Sequence, residues 1–207
     1  MNYKEIERKL YHELGHHIVN TIYKDYGRKE TAEIKITEVK HNYFSGFDRY
    51  YGETIPVMGE PTELFEKYPF STISSLTHGC VFESIYTKSR FEDLFSREDN
   101  DYLLSGYQDA KDCYNFVTCN LRLNDKIYIS IINHSIKFVE DLKSQNFQLP
   151  ELDIYKLVEI QKPITVVDEI HTSFKVNLKS LNEVTKEFTE DYKPVLDEYS
   201  KFIKNLT

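Results

Sequence analysis

The sequence predicts an α+β fold that is mainly α-helical, with a small β element beside an N-terminal helix and a helical C-terminal region. Residues 3–24 carry apolar side chains at steps of four, the spacing that forms one face of an α-helix. Residues 32–40 instead alternate apolar and polar side chains, which is typical of a half-buried strand. Helical spacing returns in residues 71–87, 124–144 and 180–206. Helices are therefore expected to dominate, with one strand well defined.

The remaining segments are predicted from turn residues and short patterns. We expect a second short strand at 43–47, a surface loop at 48–61 because of its glycines and prolines, and a short helix at 62–68. An acidic run at 96–101 is expected to open a helix that ends near residue 123. After that, the sequence predicts a short helix at 151–160, then one or two strands.

Length and charge limit the classes of protein that fit. The chain has 207 residues, a hydrophobic fraction of 40% and a formal net charge of -8. The length fits one domain, or one domain with a small appendage. Because the pattern changes in the C-terminal third, we expect a folded domain at 1–145 and a C-terminal extension at 146–207 that ends in the long helix. The dispersed negative charge disfavours a nucleic-acid partner, because binding phosphates needs concentrated Lys and Arg.

The cysteines and the hydropathy pattern indicate a compartment. Cys80, Cys113 and Cys119 form no CxxC pair and no even framework, as expected of reduced thiols in a cytosolic protein. The charged N-terminal residues do not resemble a signal peptide. No apolar run is long enough for a membrane span. We therefore expect a cytoplasmic protein with no membrane partner.

The first helix contains the pattern His-Glu-x-x-His, formed by His12, Glu13 and His16. Residues i and i+4 lie on one helical face, so the two imidazoles can bind one metal ion together. Glu13 stands beside the first ligand and can reach a water at an open metal position. This arrangement is that of a zinc peptidase, with two histidine ligands and a glutamate general base. The alternative interpretation is an amphipathic helix that carries histidines by chance.

A glycine inside the same helix is a second signal. Gly15 costs about 1 kcal/mol of helix stability relative to alanine. A glycine is favoured there when another element packs closely against the helix backbone. The sequence therefore predicts a close neighbour at Gly15.

The third metal ligand does not follow from the helix alone. Val19 and Ile22 stand where a metzincin has glycine and histidine, so that class is excluded. The Asn-Glu context of thermolysin-like enzymes is absent. Glu83 and the acidic cluster 98–101 remain as candidates. Acidic residues at a helix N-terminus also have a structural explanation, because the helix dipole and capping favour them.

The order of these elements resembles the peptidase domain of the FtsH-type AAA zinc proteases. The resemblance spans about residues 3–123 and rests on the helix at 12–16, the strand at 33–39, the small-residue helix at 75–83 and the Asn-Asp that precedes a helix at 100–101. In that family the third ligand is an aspartate followed by leucine and, further on, a small residue. Asp101-Tyr102-Leu103-Leu104-Ser105 is similar to that context.

The resemblance implies roles for two further residues. It implies that Asp101 is the third zinc ligand and that Glu83 is a carboxylate that orients a ligand. For His17 we expect a structural or ligand-supporting position, with polarisation of the oxyanion as the alternative. His17, His78 and Cys80 depart from the family pattern. There is no P-loop motif, so we expect a stand-alone domain with no ATP and no unfolding motor.

The sequence therefore predicts a zinc metallopeptidase that hydrolyses peptides or unfolded proteins, with His12, His16 and Asp101 as ligands and Glu13 as general base. The strand at 33–39 is expected to offer an edge to an extended peptide. Two alternatives stay open at this point: a catalytically degenerate relative that acts as a metal-containing interaction module, and a helical binding protein with an accidental motif. A homo-oligomer is also left open.

Overall fold

A computed structural model describes residues 2–41, 49–57, 67–98, 105–166 and 169–207. The helices are α1 Tyr3–Ile22, α2 Pro69–Thr87, α3 Tyr107–Asn115, α4 Asp125–Ser144, α5 Ile154–Leu157 and α6 Leu178–Leu206. The strands are β1 Thr31–His41, β2 Arg49–Pro56, β3 Val158–Ile160, β4 Ile164–Val166 and β5 Glu169–Val176. A mainly helical α+β fold with a small sheet and a helical C-terminus is thus confirmed. No helix in these ranges is long and apolar enough to cross a membrane.

The helix α1 is the centre of the molecule, and it crosses α2 at a pair of glycines. A Cβ atom at Gly15 would lie 2.1 Å from the carbonyl oxygen of His78 and 2.9 Å from the backbone nitrogen of Gly79. Both contacts are with backbone, which cannot move aside. The close neighbour predicted at Gly15 is therefore confirmed as α2.

The five strands form one antiparallel sheet in the order β2-β1-β5-β3, with β4 also paired to β5. Ile34 and Ile36 of β1 are fully buried and belong to the same core as Leu10 and Leu14 of α1. The sheet therefore packs against the N-terminal helix, as the alternating pattern of β1 requires.

The C-terminal extension shares this core. Strand β5 pairs with β1 from Lys35 to His41, and α6 buries Leu181, Leu196 and Ile203. The hydroxyl of Tyr23, at the end of α1, donates to Ser200 Oγ of α6 at 2.8 Å. Residues 146–207 thus complete the sheet and the helical layer around α1.

Several local predictions are corrected or lie outside the described ranges. The expected loop at 48–61 is wrong for residues 49–56, which form β2 and pair with β1. The expected helix at 151–160 ends at Leu157, and the chain continues as β3. The helix expected up to residue 123 is α3, followed by a π-helical turn at Phe116–Asn120. The strand at 43–47 and most of the helix at 62–68 lie outside the described residues.

Candidate metal centre

Three side-chain atoms from two helices converge on one point. His12 and His16 lie one turn apart on α1, and their Nε2 atoms are 3.2 Å apart. Asp109, in the first turn of α3, places its Oδ2 atom 3.0 Å from His12 Nε2 and 3.3 Å from His16 Nε2. The three donors form a nearly equilateral triangle of two nitrogens and one oxygen.

The other ring nitrogen of each histidine is already bonded. His12 Nδ1 lies 2.9 Å from Glu83 Oε2, and His16 Nδ1 lies 2.8 Å from the carbonyl oxygen of Ser75. A carbonyl oxygen can only accept, so Nδ1 of His16 carries the hydrogen. The same holds for His12 when Glu83 is ionised. The Nε2 atom of each ring is then the one that can hold either a proton or a metal ion.

The spacing of the donors fits a zinc ion. Zinc–nitrogen and zinc–oxygen bonds of about 2.0–2.2 Å at a tetrahedral angle place neighbouring donors about 3.3–3.6 Å apart. The observed separations of 3.0–3.3 Å are at or just below the short end of that range. Both imidazoles and carboxylates are ordinary zinc ligands.

Gly79 of α2 lies directly beside the converging ring nitrogens. A Cβ atom at Gly79 would lie 2.5 Å from His16 Nε2 and 2.7 Å from His12 Nε2. Any other residue would thus place carbon against the two ring nitrogens. Gly79 therefore allows both rings to approach the backbone of α2 closely.

The electrostatics of the site favour a positively charged His12 beside a negatively charged Asp109. Burial opposes ionisation of His12, but hydrogen bonds to its neighbours, above all Asp109, raise its pKa well above the usual value. Burial likewise opposes the charge on Asp109, yet the two histidines hold the pKa of its carboxyl below the ordinary range. The site thus stabilises a negative carboxylate beside a positive charge, which a metal ion can supply in place of protons.

Glu13 lies on the other side of the histidines, against the sheet. Its Oε2 accepts a hydrogen bond from Thr54 Oγ1 of β2 at 2.7 Å. A Cβ at Gly52 would lie 2.3 Å from Glu13 Oε1, so only glycine leaves room for the carboxylate there. Glu13 also has a carboxylate oxygen within 4.8 Å of ring nitrogens of His12 and His16. The carboxylate is therefore held in place beside the site.

The second carboxylate, that of Glu83, is held by a chain of hydrogen bonds from Ser105 and Lys9. Its Oε1 accepts from Ser105 Oγ at 2.7 Å, and Ser105 accepts from the ammonium of Lys9 at the same distance. Burial opposes the charge on Glu83, but the bond to His12 lowers its pKa overall. Glu83 therefore holds the His12 ring at Nδ1, and its role in orienting a metal ligand stays a prediction.

The carbonyl that orients His16 is fixed by a buried polar cluster. Arg28 donates to Asn20 Oδ1 at 2.9 Å and to Ser75 Oγ at 3.1 Å. Ser75 Oγ in turn donates to the same amide oxygen at 3.1 Å. These bonds tie the start of α2 to α1 near His16.

The remaining predicted residues have different outcomes. His17 joins α1 to α6, because its Nε2 lies 2.7 Å from Asn182 Oδ1, and this contact agrees with the structural position among the alternatives expected for it. Asp101 lies outside the described residues, and its assignment as third ligand stays a prediction. The sequence reasoning missed Asp109. Its signal was an acidic residue four positions before Cys113, on the buried stripe of α3 that also contains Ala110.

Comparisons with known proteins do not identify the chain. No protein-family model matches the sequence, and neither a curated protein nor a solved structure matches it.

Proposed function

We propose that the protein is a zinc-dependent metallopeptidase in which His12, His16 and Asp109 hold the metal and Glu13 is the general base. The observation that carries this proposal is the convergence of three donor atoms, 3.0–3.3 Å apart, with a fixed carboxylate beside them. Asp109 takes the role for which the sequence had suggested Asp101. The resemblance to the FtsH-type peptidase domain points in the same direction.

Zinc is the metal that this donor set fits best. Two imidazoles and one carboxylate form a three-ligand set like those of catalytic zinc sites, which keep a fourth position open. When bound, zinc supplies Lewis acidity, which activates water and polarises a carbonyl group. His16 and Asp109 are 12% and 18% exposed, whereas His12 is 4% exposed, so the site is reached from the side of the first two residues.

Glu13 performs the proton transfers in this proposal. Its carboxylate accepts a proton from the attacking water and then delivers that proton to the amine that leaves. Thr54 fixes Oε2 by a hydrogen bond, and Gly52 gives Oε1 its space, so the base does not need to be reoriented during the reaction.

The sheet edge for an extended peptide is reassigned from β1 to β2. Strand β1 pairs with β2 on one side and with β5 on the other, so the expectation of a free edge at 33–39 is wrong for most of its length. Strand β2 is the last strand of the sheet within the described residues, and it carries Gly52 and Thr54 beside Glu13. A peptide paired with β2 would run next to the general base.

The substitution Glu13→Gln tests the mechanism. The amide keeps the size of the side chain and removes the base, so we expect zinc content and melting temperature close to wild type. Hydrolysis of an unfolded protein such as casein should fall by at least about 100-fold, since general bases contribute about 10²–10⁴-fold in rate. Glu190→Gln, an exposed carboxylate of α6, is the matched control and should retain full activity.

Two results would count against the proposal. Equal hydrolysis by wild type and Glu13→Gln would exclude Glu13 as the base. Zinc retained by a wild type that cleaves no tested substrate would favour the metal-containing interaction module over the peptidase.

A further inference from the structure

A cysteine faces the same ligands from α2. The Sγ atom of Cys80, a ring nitrogen of His12 and a carboxylate oxygen of Asp109 all lie within 4.8 Å of one another. Cys80 is fully buried and directly follows Gly79, the residue that leaves space beside the imidazoles. A thiol thus lies next to two of the three proposed ligands.

The fold makes room for this sulfur atom. A Cβ at Gly106 would lie 2.1 Å from Cys80 Sγ and 2.8 Å from the carbonyl oxygen of Leu94. Only glycine can occupy position 106 while the sulfur stays where it is. Gly106 directly precedes α3, which carries Asp109 three residues later. The thiol is therefore enclosed between α2 and the start of the helix that presents the carboxylate.

Coordination requires only a short movement. A zinc–sulfur bond is about 2.3 Å and zinc–nitrogen or zinc–oxygen bonds are about 2.0–2.2 Å, so the sulfur and another donor on a tetrahedral zinc are about 3.5–3.7 Å apart. The sulfur lies within 4.8 Å of a ring nitrogen of His12 and a carboxylate oxygen of Asp109, and it has to approach these two atoms by little more than about 1 Å. Thiolate sulfur is also a preferred ligand of zinc and other thiophilic ions.

We propose that Cys80 is an additional metal ligand that binds when no substrate is present and occupies the position that substrate or water must take. The inference rests on the proposed function and adds regulation to the same site. As the sulfur–metal bond forms, the thiol loses its proton to solvent. A zinc site with four protein ligands is closed, whereas a catalytic one keeps a position open. Cys80 therefore holds the resting site closed until substrate displaces it.

Cobalt(II) is the probe, because it takes zinc sites and gives a near-ultraviolet charge-transfer band when a thiolate is bound to it. We expect the wild type to bind one equivalent of Co²⁺ and to show this band. Cys80→Ser should still bind one equivalent and lose the band. Cys113→Ser, a buried thiol on α3, and Cys119→Ser, an exposed one, are the matched controls and should keep it.

The outcomes separate this inference from the proposed function. One equivalent of bound Co²⁺ without the band, or a band that persists in Cys80→Ser, overturns the role of Cys80 and leaves the metal centre intact. Failure of the wild type to bind Co²⁺ or Zn²⁺ overturns both. X-ray absorption of the zinc-loaded wild type needs no variant: one sulfur at about 2.3 Å supports the ligand, and a first shell of nitrogen and oxygen alone refutes it.

Discussion

Replacing Gly79 with alanine would place a methyl group against both histidine ligands. Its Cβ would lie 2.5 Å from His16 Nε2 and 2.7 Å from His12 Nε2, whereas ordinary contacts begin at 3.4 Å. The two nitrogens would therefore have to retreat by roughly 0.9 and 0.7 Å. Both rings are backed by acceptors at 2.8 and 2.9 Å from their Nδ1 atoms, so they cannot retreat without losing those hydrogen bonds.

The magnitude follows from what such a displacement does to metal ligands. Removing a group that merely orients a ligand typically costs 10–100-fold in metal affinity. Displacing two donor atoms should cost at least about 100-fold, or about 2.7 kcal/mol. The metal-free protein should be affected less than metal binding, because the helix preference of alanine over glycine, about 1 kcal/mol, offsets part of the cost of the disturbed hydrogen bonds. Gly79→Ala should thus lose zinc while it keeps its fold.

Competition with a chromogenic chelator measures the zinc affinity, and thermal unfolding of the metal-free protein measures the fold. Gly52→Ala is the matched control, because the three atoms nearest its Cβ would all belong to Glu13, with Oε1 at 2.3 Å. That variant should bind zinc normally and lose hydrolysis. Wild-type zinc affinity in Gly79→Ala, with helix content unchanged, would refute the placement of the metal between these rings.

Three further predictions address the ligands and the metal. In the same zinc competition assay, Asp109→Asn should lose zinc, whereas Asp112→Asn on the same helix should keep it. If Asp101→Asn alone releases the metal, the third ligand is Asp101. Glu83→Gln should weaken zinc binding by about 10–100-fold in the same competition assay, because it removes the charged acceptor of His12 Nδ1. Unchanged zinc affinity would contradict the role of Glu83 in orienting His12. Removing zinc with a chelator should lower the melting temperature. The expected decrease is roughly 5–10 °C relative to protein at a free zinc concentration of about 100 times Kd. Equal melting temperatures would contradict a metal site that binds zinc only in the folded chain.

The features that the sequence predicted correctly are local ones. The pair His12 and His16 needs only helix geometry, and α4 is bounded as predicted because Asn124 caps it and its apolar stripe continues to the end. β2 was missed because its Gly52 and Pro56 are typical of loops. Pairing with β1 overrides that preference, and Pro56 stands at the last position of the strand.

The third ligand could not be derived in the same way, because it depends on where α3 lies in three dimensions. Asp109 is 97 residues from His12 in the chain, and no spacing rule connects them. The glycines gave an indirect signal instead. Four glycines each allow a close contact at the site or next to it: Gly15 with α2, Gly52 with Glu13, Gly79 with the two histidines and Gly106 with Cys80. A glycine that interrupts a predicted helix or strand costs stability, so it indicates a close contact from elsewhere in the fold. Read in this way, Gly79 would have directed attention to the helix opposite the histidines, and Gly106 to the segment that presents Asp109.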